Sequence, residues 1–242
     1  MSGHSKWSTI KHQKSTNDQA RGKLFSKLSR AITIAVRDGG GGVDPEKNYK
    51  LQVAIDKARE QDMPKGNIER AIDKATGKGR GLLESMQFEG YGPAAVGVIV
   101  EAITDNRQRT LQELKGFFKG NGGSESSPGA VLYNFFSQGR ILIVMDKAVD
   151  KQILQIMDIS GVEDVSEKGG LVEVVTSKNN LAKTLKEIKN QSWQVKSASL
   201  IMAPKVKIIV AAKDKLEKIL DFVEKLKDLD DVQNVFTNLD IS

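Results

Sequence analysis

The chain reads as an α+β protein in which an N-terminal helical bundle precedes two mixed units, one set inside the other. Three observations carry that reading. Between residues 18 and 77 apolar residues recur at helical spacing. After residue 81 the pattern changes to short apolar runs alternating with amphipathic stretches. From 140 to 202 the order is strand, helix, strand, strand, helix, strand, which is the ferredoxin-like arrangement.

Residues 1–17 are polar and basic with little apolar periodicity, so an extended or loosely ordered arm is expected. A helix follows with Asp18 as its N-cap. Leu24, Phe25, Leu28, Ala31, Ile32, Ala35 and Val36 form its apolar face. Lys23, Lys27, Arg30 and Arg37 fall within an arc of about 80° beside that face, at about 100° per residue. The glycines at 39–42 end the helix. A strand before them, a Gly-Lys-Ser/Thr ending and GxGxxG spacing are all missing, so they read as a linker and not as a phosphate loop. Asp44-Pro45-Glu46 has the form of a second helix start, with Asp as cap and Pro at the first helical position. Leu51, Ala54, Ile55 and Ala58 give its buried face, and Met63-Pro64 stops it. A third helix starts at Pro64 or Asn67, runs through Ile68, Ala71, Ile72 and Ala75, and closes at Gly77. Gly77-Lys78-Gly79-Arg80-Gly81 is a linker by composition.

In the mixed part, Val96–Ile103 reads as a strand. Thr104-Asp105-Asn106 caps a helix carrying Leu111, Leu114, Phe117 and Phe118, and a loop over 124–129 follows. The regular unit comprises strand 140–145, helix 149–159, strands 162–166 and 171–175, helix 181–189 and strand 193–202. A strand at 205–210, a helix at 213–228 and a strand at 232–236 then complete a second sandwich with residues 82–133. The expected domains are 1–80, 81–133 with 205–242, and 134–204.

Charge narrows the function. The formal net charge is +6, and residues 1–37 alone carry eight Lys/Arg against the single acid Asp18, a local +7. There is no cysteine, and the two histidines, His4 and His12, both lie in this segment. Thiolate metal sites, disulfides, a Cys nucleophile and a His-based triad are therefore excluded. No apolar run approaches the 18 residues or so that a bilayer span needs. The N-terminus lacks the apolar core of a secretory signal, so a cytoplasmic protein is expected. Residues 104–110 contain carboxylate, amide and guanidinium groups at a strand–helix junction, and helix capping explains them as simply as a catalytic site does. The pairs Glu163/Asp164 and Asp230/Asp231 read as solvated turns. By contrast, a basic arm running into a helix with its own basic stripe suits a phosphate backbone, and Trp7 between Lys6 and Lys11 suits base stacking. The candidate nucleic-acid-binding residues are Lys6, Trp7, Lys11, Lys14, Arg21, Lys23, Lys27 and Arg30.

Several stretches are distinctive together: GHSKWSTIKHQK (3–14), FSKLSRAI (25–32), GG-x-DP-x-x-N (41–48), MPKGNIERAI (63–72), TDNRQRT (104–110) and DDVQNVFTN (230–238). On these the chain resembles the YebC/PmpR family, which includes the mitochondrial translational activator of cytochrome c oxidase. The resemblance implies an N-terminal helical domain and two ferredoxin-like α+β domains. It also implies a cytoplasmic, non-enzymatic, DNA-binding transcriptional regulator, or alternatively a ribosome-associated factor that holds rRNA or tRNA and relieves stalling at consecutive prolines. The chain departs from the family where a Gly-Gly-x-Leu-Gly stretch is usual, for Glu125 stands at the leucine. No metal or cofactor is implied. The expected partner is nucleic acid, without a membrane, and the α+β domains are available as protein-interaction surfaces. A site at 104–110 is the enzymatic alternative.

Overall fold

The computed structural model describes residues 3–77 and 83–240, with side chains from Asp18 onward. Three helices come first: α1 (Gly3–Asp38), α2 (Tyr49–Glu60) and α3 (Lys65–Thr76). Leu28, Ile32, Ala35 and Val36 of α1 bury against Leu51, Ile55 and Ala58 of α2 and Ile68 and Ala71 of α3. Of the expected apolar face, Phe25, Leu28, Ile32, Ala35 and Val36 meet this core, whereas Leu24 is exposed and Ala31 packs elsewhere.

The mixed part holds two four-stranded antiparallel sheets. The first is built from β1 (Glu84–Tyr91), β2 (Gly97–Thr104), β3 (Ser124–Glu125) and, far along the chain, β9 (Val232–Thr237), in the order β3-β1-β2-β9. Helices α4 (Arg107–Gly120) and α7 (Lys213–Lys227) cover one face of it. There Leu114, Phe118, Phe222 and Leu226 meet Met86, Phe88, Val98 and Val100. The second sheet lies between those segments in sequence. It comprises β4 (Phe135–Val144), α5 (Val149–Met157), β5 (Val162–Lys168), β6 (Leu171–Ser177), α6 (Leu181–Asn190) and β7 (Val195–Pro204). Its strand order is β5-β6-β4-β7, with α5 and α6 packed over Ile141, Ile143, Val172 and Val174. That is the ferredoxin-like order throughout. The first sheet has the same spatial order, but the position normally filled by the third strand is taken by β1, which enters before β2.

The polar arm is helical. The backbone of α1 begins at Gly3, so Asp18 sits inside the helix and is not its cap. The cap of α2 is Asn48, not Asp44. Asp44 closes a preceding turn, accepting from Glu46 N at 3.0 Å. The glycine run is a tight turn over Asn48. Gly40 and Gly41 adopt φ of +71° and +84°, and a Cβ at Gly39 would sit 2.0 Å from Asn48 Nδ2. The Gly77 cap stands, and the rest of that linker, Lys78 to Gly81, lies outside the described residues. Of the expected 205–210 strand only β8 (Ile208–Ile209) pairs, in parallel with β10 (Leu239–Asp240). In the expected 124–129 loop, Ser124 and Glu125 pair with β1, and Glu125 binds Lys115 of α4 at 2.8 Å. The rest of that loop is moored by Glu89 of β1. Its buried carboxylate accepts from the backbone N–H groups of Gly129, Val131 and Leu132 at 2.7, 2.9 and 2.8 Å. Burial pushes this carboxyl up, but the three donors outweigh burial and hold it below the ordinary range.

Candidate nucleic-acid interface

Spacings of four, three and seven residues put Lys23, Lys27, Arg30 and Arg37 on one side of α1. All four reach beyond the bundle. Lys23 Nζ pairs with Asp230 Oδ1 at 2.9 Å. Lys27 Nζ donates to the carbonyl of Lys227, the last residue of α7, at 2.5 Å. Arg30 Nη1 donates to Asp231 Oδ1 at 2.5 Å and to the Asp230 carbonyl at 3.2 Å. Arg37 donates to the Leu83 carbonyl, just ahead of β1. Beside these polar contacts Ala31 and Ile34 of α1 pack on Leu83 and Ile103. The stripe is therefore the side on which the first helix meets the first sheet domain.

Asp231 is the centre of this clasp. Its side chain is only 4% exposed. One oxygen takes Arg30, and the other takes Arg109 Nη2 at 2.8 Å and Thr110 Oγ1 at 2.5 Å. Its backbone carbonyl accepts from Ile103 N at 2.8 Å. Burial pushes the carboxyl up, but donation from Thr110, Arg109 and Arg30 outweighs it and holds it below the usual range. Three stretches far apart in sequence, 25–32, 104–110 and 230–238, thus meet at one carboxylate. The solvated-turn reading fits the side chain of Asp230, which is 73% exposed, and fails for Asp231. Residues 104–110 do cap α4, but the capping oxygen belongs to Asn106, which accepts from Arg109 N at 3.0 Å. Asp105 instead pairs with the Arg109 guanidinium at 2.8 Å. Asp105, Asn106 and Arg109 are thus engaged in the cap and the clasp.

Beyond the clasp, residues 18–24 are all exposed, so α1 carries no core there. The Arg21 guanidinium stacks over the Phe25 ring, 5.4 Å from its centroid. Lys27 is half-buried, and burial, followed by the neighbouring Lys23, lowers its pKa. Lys6, Trp7, Lys11 and Lys14 lie on the α1 backbone, and their side chains are outside the described residues. Among the described residues no group of three or more His, Asp or Glu is placed to hold a metal ion. No described helix is long and apolar enough to cross a membrane.

Comparison with known proteins covers both parts of the chain. Residues 5–78 match the family model described as the TACO1/YebC protein N-terminal domain, and residues 83–239 match that of the TACO1/YebC second and third domain. A relative from Chloroflexus aurantiacus, named a probable transcriptional regulatory protein, is 45% identical over 245 aligned residues, spanning 100% of this chain and 96% of its own. One of the same name from Natranaerobius thermophilus is 40% identical, spanning 100% and 97%. The crystal structure of a conserved hypothetical protein from Aquifex aeolicus is similar with a TM-score of 0.81 at 33% identity, over 92% of this chain and 91% of that one. With both models matched in sequence order and relatives of this identity aligned from end to end, the chain belongs to the TACO1/YebC family.

Proposed function

We propose that this protein is a non-enzymatic, DNA-binding regulator of transcription that works in the cytoplasm and holds its ligand along α1. The observation that carries the reading is the concentration of charge: +7 within residues 1–37 of a chain whose total is +6. That charge lies on one 36-residue helix with no acid in its first turn, so the positive end of the helix dipole adds to it. The exposure of residues 18–24 leaves that side of the helix to a ligand. Lys6, Lys11, Lys14 and Arg21 take backbone phosphates, and Trp7 stacks on a base or sugar. Lys23 and Lys27 extend the contact at the exposed edge of the clasp, and Arg30 serves mainly to hold the helix. Phosphate contacts set position and not sequence, so selectivity comes from nucleic-acid shape or a partner protein. The name shared by the relatives supports transcription as the process.

A salt titration of binding to duplex DNA, single-stranded RNA and whole ribosomes tests this. Changing Lys6, Lys11 and Lys14 together to Ala should weaken duplex binding and lower the slope of log affinity against log salt by roughly 2–3, at about 0.7–0.9 per phosphate. Trp7→Ala should cost about 1–3 kcal/mol of affinity with the slope nearly unchanged. Unchanged binding by both variants removes the helix as the site. A loss confined to ribosomes moves the process from transcription to translation.

A further inference from the structure

We infer that the end of α7 and the turn that joins it to β9 occupy a phosphate subsite on α1, so that Asp230 competes with the nucleic-acid backbone for Lys23 and Lys27. This rests on the reading of α1 as the nucleic-acid helix. The geometry has two tiers. The inner tier, Arg30 with Asp231, Arg109 and Thr110, is shielded, and its acceptor is almost wholly buried. The outer tier is Lys23 with Asp230 and Lys27 with the Lys227 carbonyl. Its ion pair is open to water on both sides, with side chains 44% and 73% exposed. An exposed pair of this kind is weakly held and exchanges its partner readily. The acceptors it offers are what a phosphodiester offers: an anionic oxygen and, one helical turn along α1, a second oxygen. Several features make the outer tier a replaceable stand-in. Lys23 lies within the exposed segment 18–24, and Lys27 follows one helical turn on. Lys27 gives up much of its hydration, and its hydrogen bond goes to a neutral carbonyl, with the carboxylates of Asp228 and Asp230 nearby. The inner tier keeps α1 on the sheet domain when the outer tier opens, so exchange needs no change of fold. A ligand that takes both lysines thereby pays for displacing one carboxylate, which sets its affinity below what the bare stripe would give.

The test uses the full chain and four proteins: the parent, Asp230→Asn, Asp221→Asn and a Lys23→Ala/Lys27→Ala double variant. Asp221 is an exposed carboxylate of α7 paired with Lys225 at 2.6 Å, so its change adds the same unit of charge away from α1. Binding to a duplex DNA and to a single-stranded RNA is measured by fluorescence anisotropy at low and moderate salt. Asp230→Asn should bind about two- to five-fold more tightly than Asp221→Asn, the range that losing a weak surface pair implies. The gain should shrink as salt rises. Equal affinity of the two Asn variants, or weaker binding by Asp230→Asn, overturns the competition even where the double lysine variant loses affinity. If the double lysine variant binds like the parent, the stripe is no subsite and the inference falls with it. Thermal unfolding of each variant separates a lost fold from a lost contact.

Discussion

At the scale of single residues the molecule is marked by two buried carboxylates, Asp231 and Glu89, each fixed by three donors. Their folded pKa values lie below the ordinary 3.8 and 4.5. Such groups contribute stability that is complete above the unfolded pKa and is lost as pH falls through the folded one. The urea midpoint of the parent should therefore be level from pH 8 to about pH 5 and fall below about pH 4. Glu89→Gln should cost about 1–3 kcal/mol at neutral pH, since an amide N–H₂ would face backbone N–H donors. Asp231→Asn should cost about 2 kcal/mol or more, since it leaves Arg30 short of its counter-charge. Both variants should show a shallower acid limb than the parent. Parallel limbs would mean that neither carboxylate carries the acid sensitivity. The basic half of the clasp was legible in the sequence as a stripe on a helix. The acidic half was not, because Asp231 follows Asp230 at a strand start and looks like any solvated turn. Nothing in a single sequence joins Arg30 to a residue 201 positions away.

At the scale of elements, Asn48 shows one side chain ending one helix and starting the next. Its Oδ1 accepts from Leu51 N at 3.2 Å, while its Nδ2 donates to the carbonyls of Ala35 at 2.9 Å and Gly42 at 3.1 Å. Asn48→Ala should cost about 2 kcal/mol, with the lost cap and the orphaned carbonyls together. Asn48→Asp is the sharper experiment. Asp caps helices as well as Asn does, so a pure cap would be rescued. Here its carboxylate would face two carbonyl oxygens, and the expected denaturant midpoint is as low as that of the Ala variant. The elements that sequence reading found share a trait: each strand of the inserted unit is bounded by its own turn, as at Gly169-Gly170 between β5 and β6. The elements it missed lack local signals. β1 shows only Met86 and Phe88 as an alternating pair, and its Gly90 is required because a Cβ would meet Phe118 at 2.5 Å. Residues 3–17 have no apolar face to announce a helix. The 205–210 run has strand composition but meets only the two-residue β10.

At the scale of the whole molecule, three cores are tied by seams of different chemistry. The bundle meets the first sheet domain through the clasp and through Ile34, Leu83 and Ile103. It meets the inserted domain through Lys189 and Asp56 at 3.0 Å. The two sheet domains meet around Ile99, Val131, Phe135 and Met202. We expect limited trypsin to cut after Lys78 or Arg80 and the two pieces to stay together on gel filtration at about 0.1 M salt, where a screening length near 10 Å leaves close pairs intact. The same cut in Asp231→Ala should release the N-terminal piece. Resistance of those bonds, or separation of the parent pieces at once, would count against a linker bridging docked domains.

The strand order of the first sheet also orders events in time. β2 is one of its two interior strands, yet one neighbour is adjacent in the chain and the other is not: Glu101 and Asn234, which touch, lie 133 residues apart. During synthesis, domains fold as they emerge, N-terminal parts first. The bundle and the whole inserted unit are complete while β2 still has a bare edge. The same last segment that closes that edge carries Asp230 and Asp231. Until it arrives, Lys23 and Arg30 lack the carboxylates they hold in the folded protein, and the first helix meets the sheet domain only through Arg37, Ala31 and Ile34. The seating of α1 is thus a record of whether the α7–β9 turn has been made, and a chain stopped before Asp230 would leave Lys23 and Arg30 without their carboxylates.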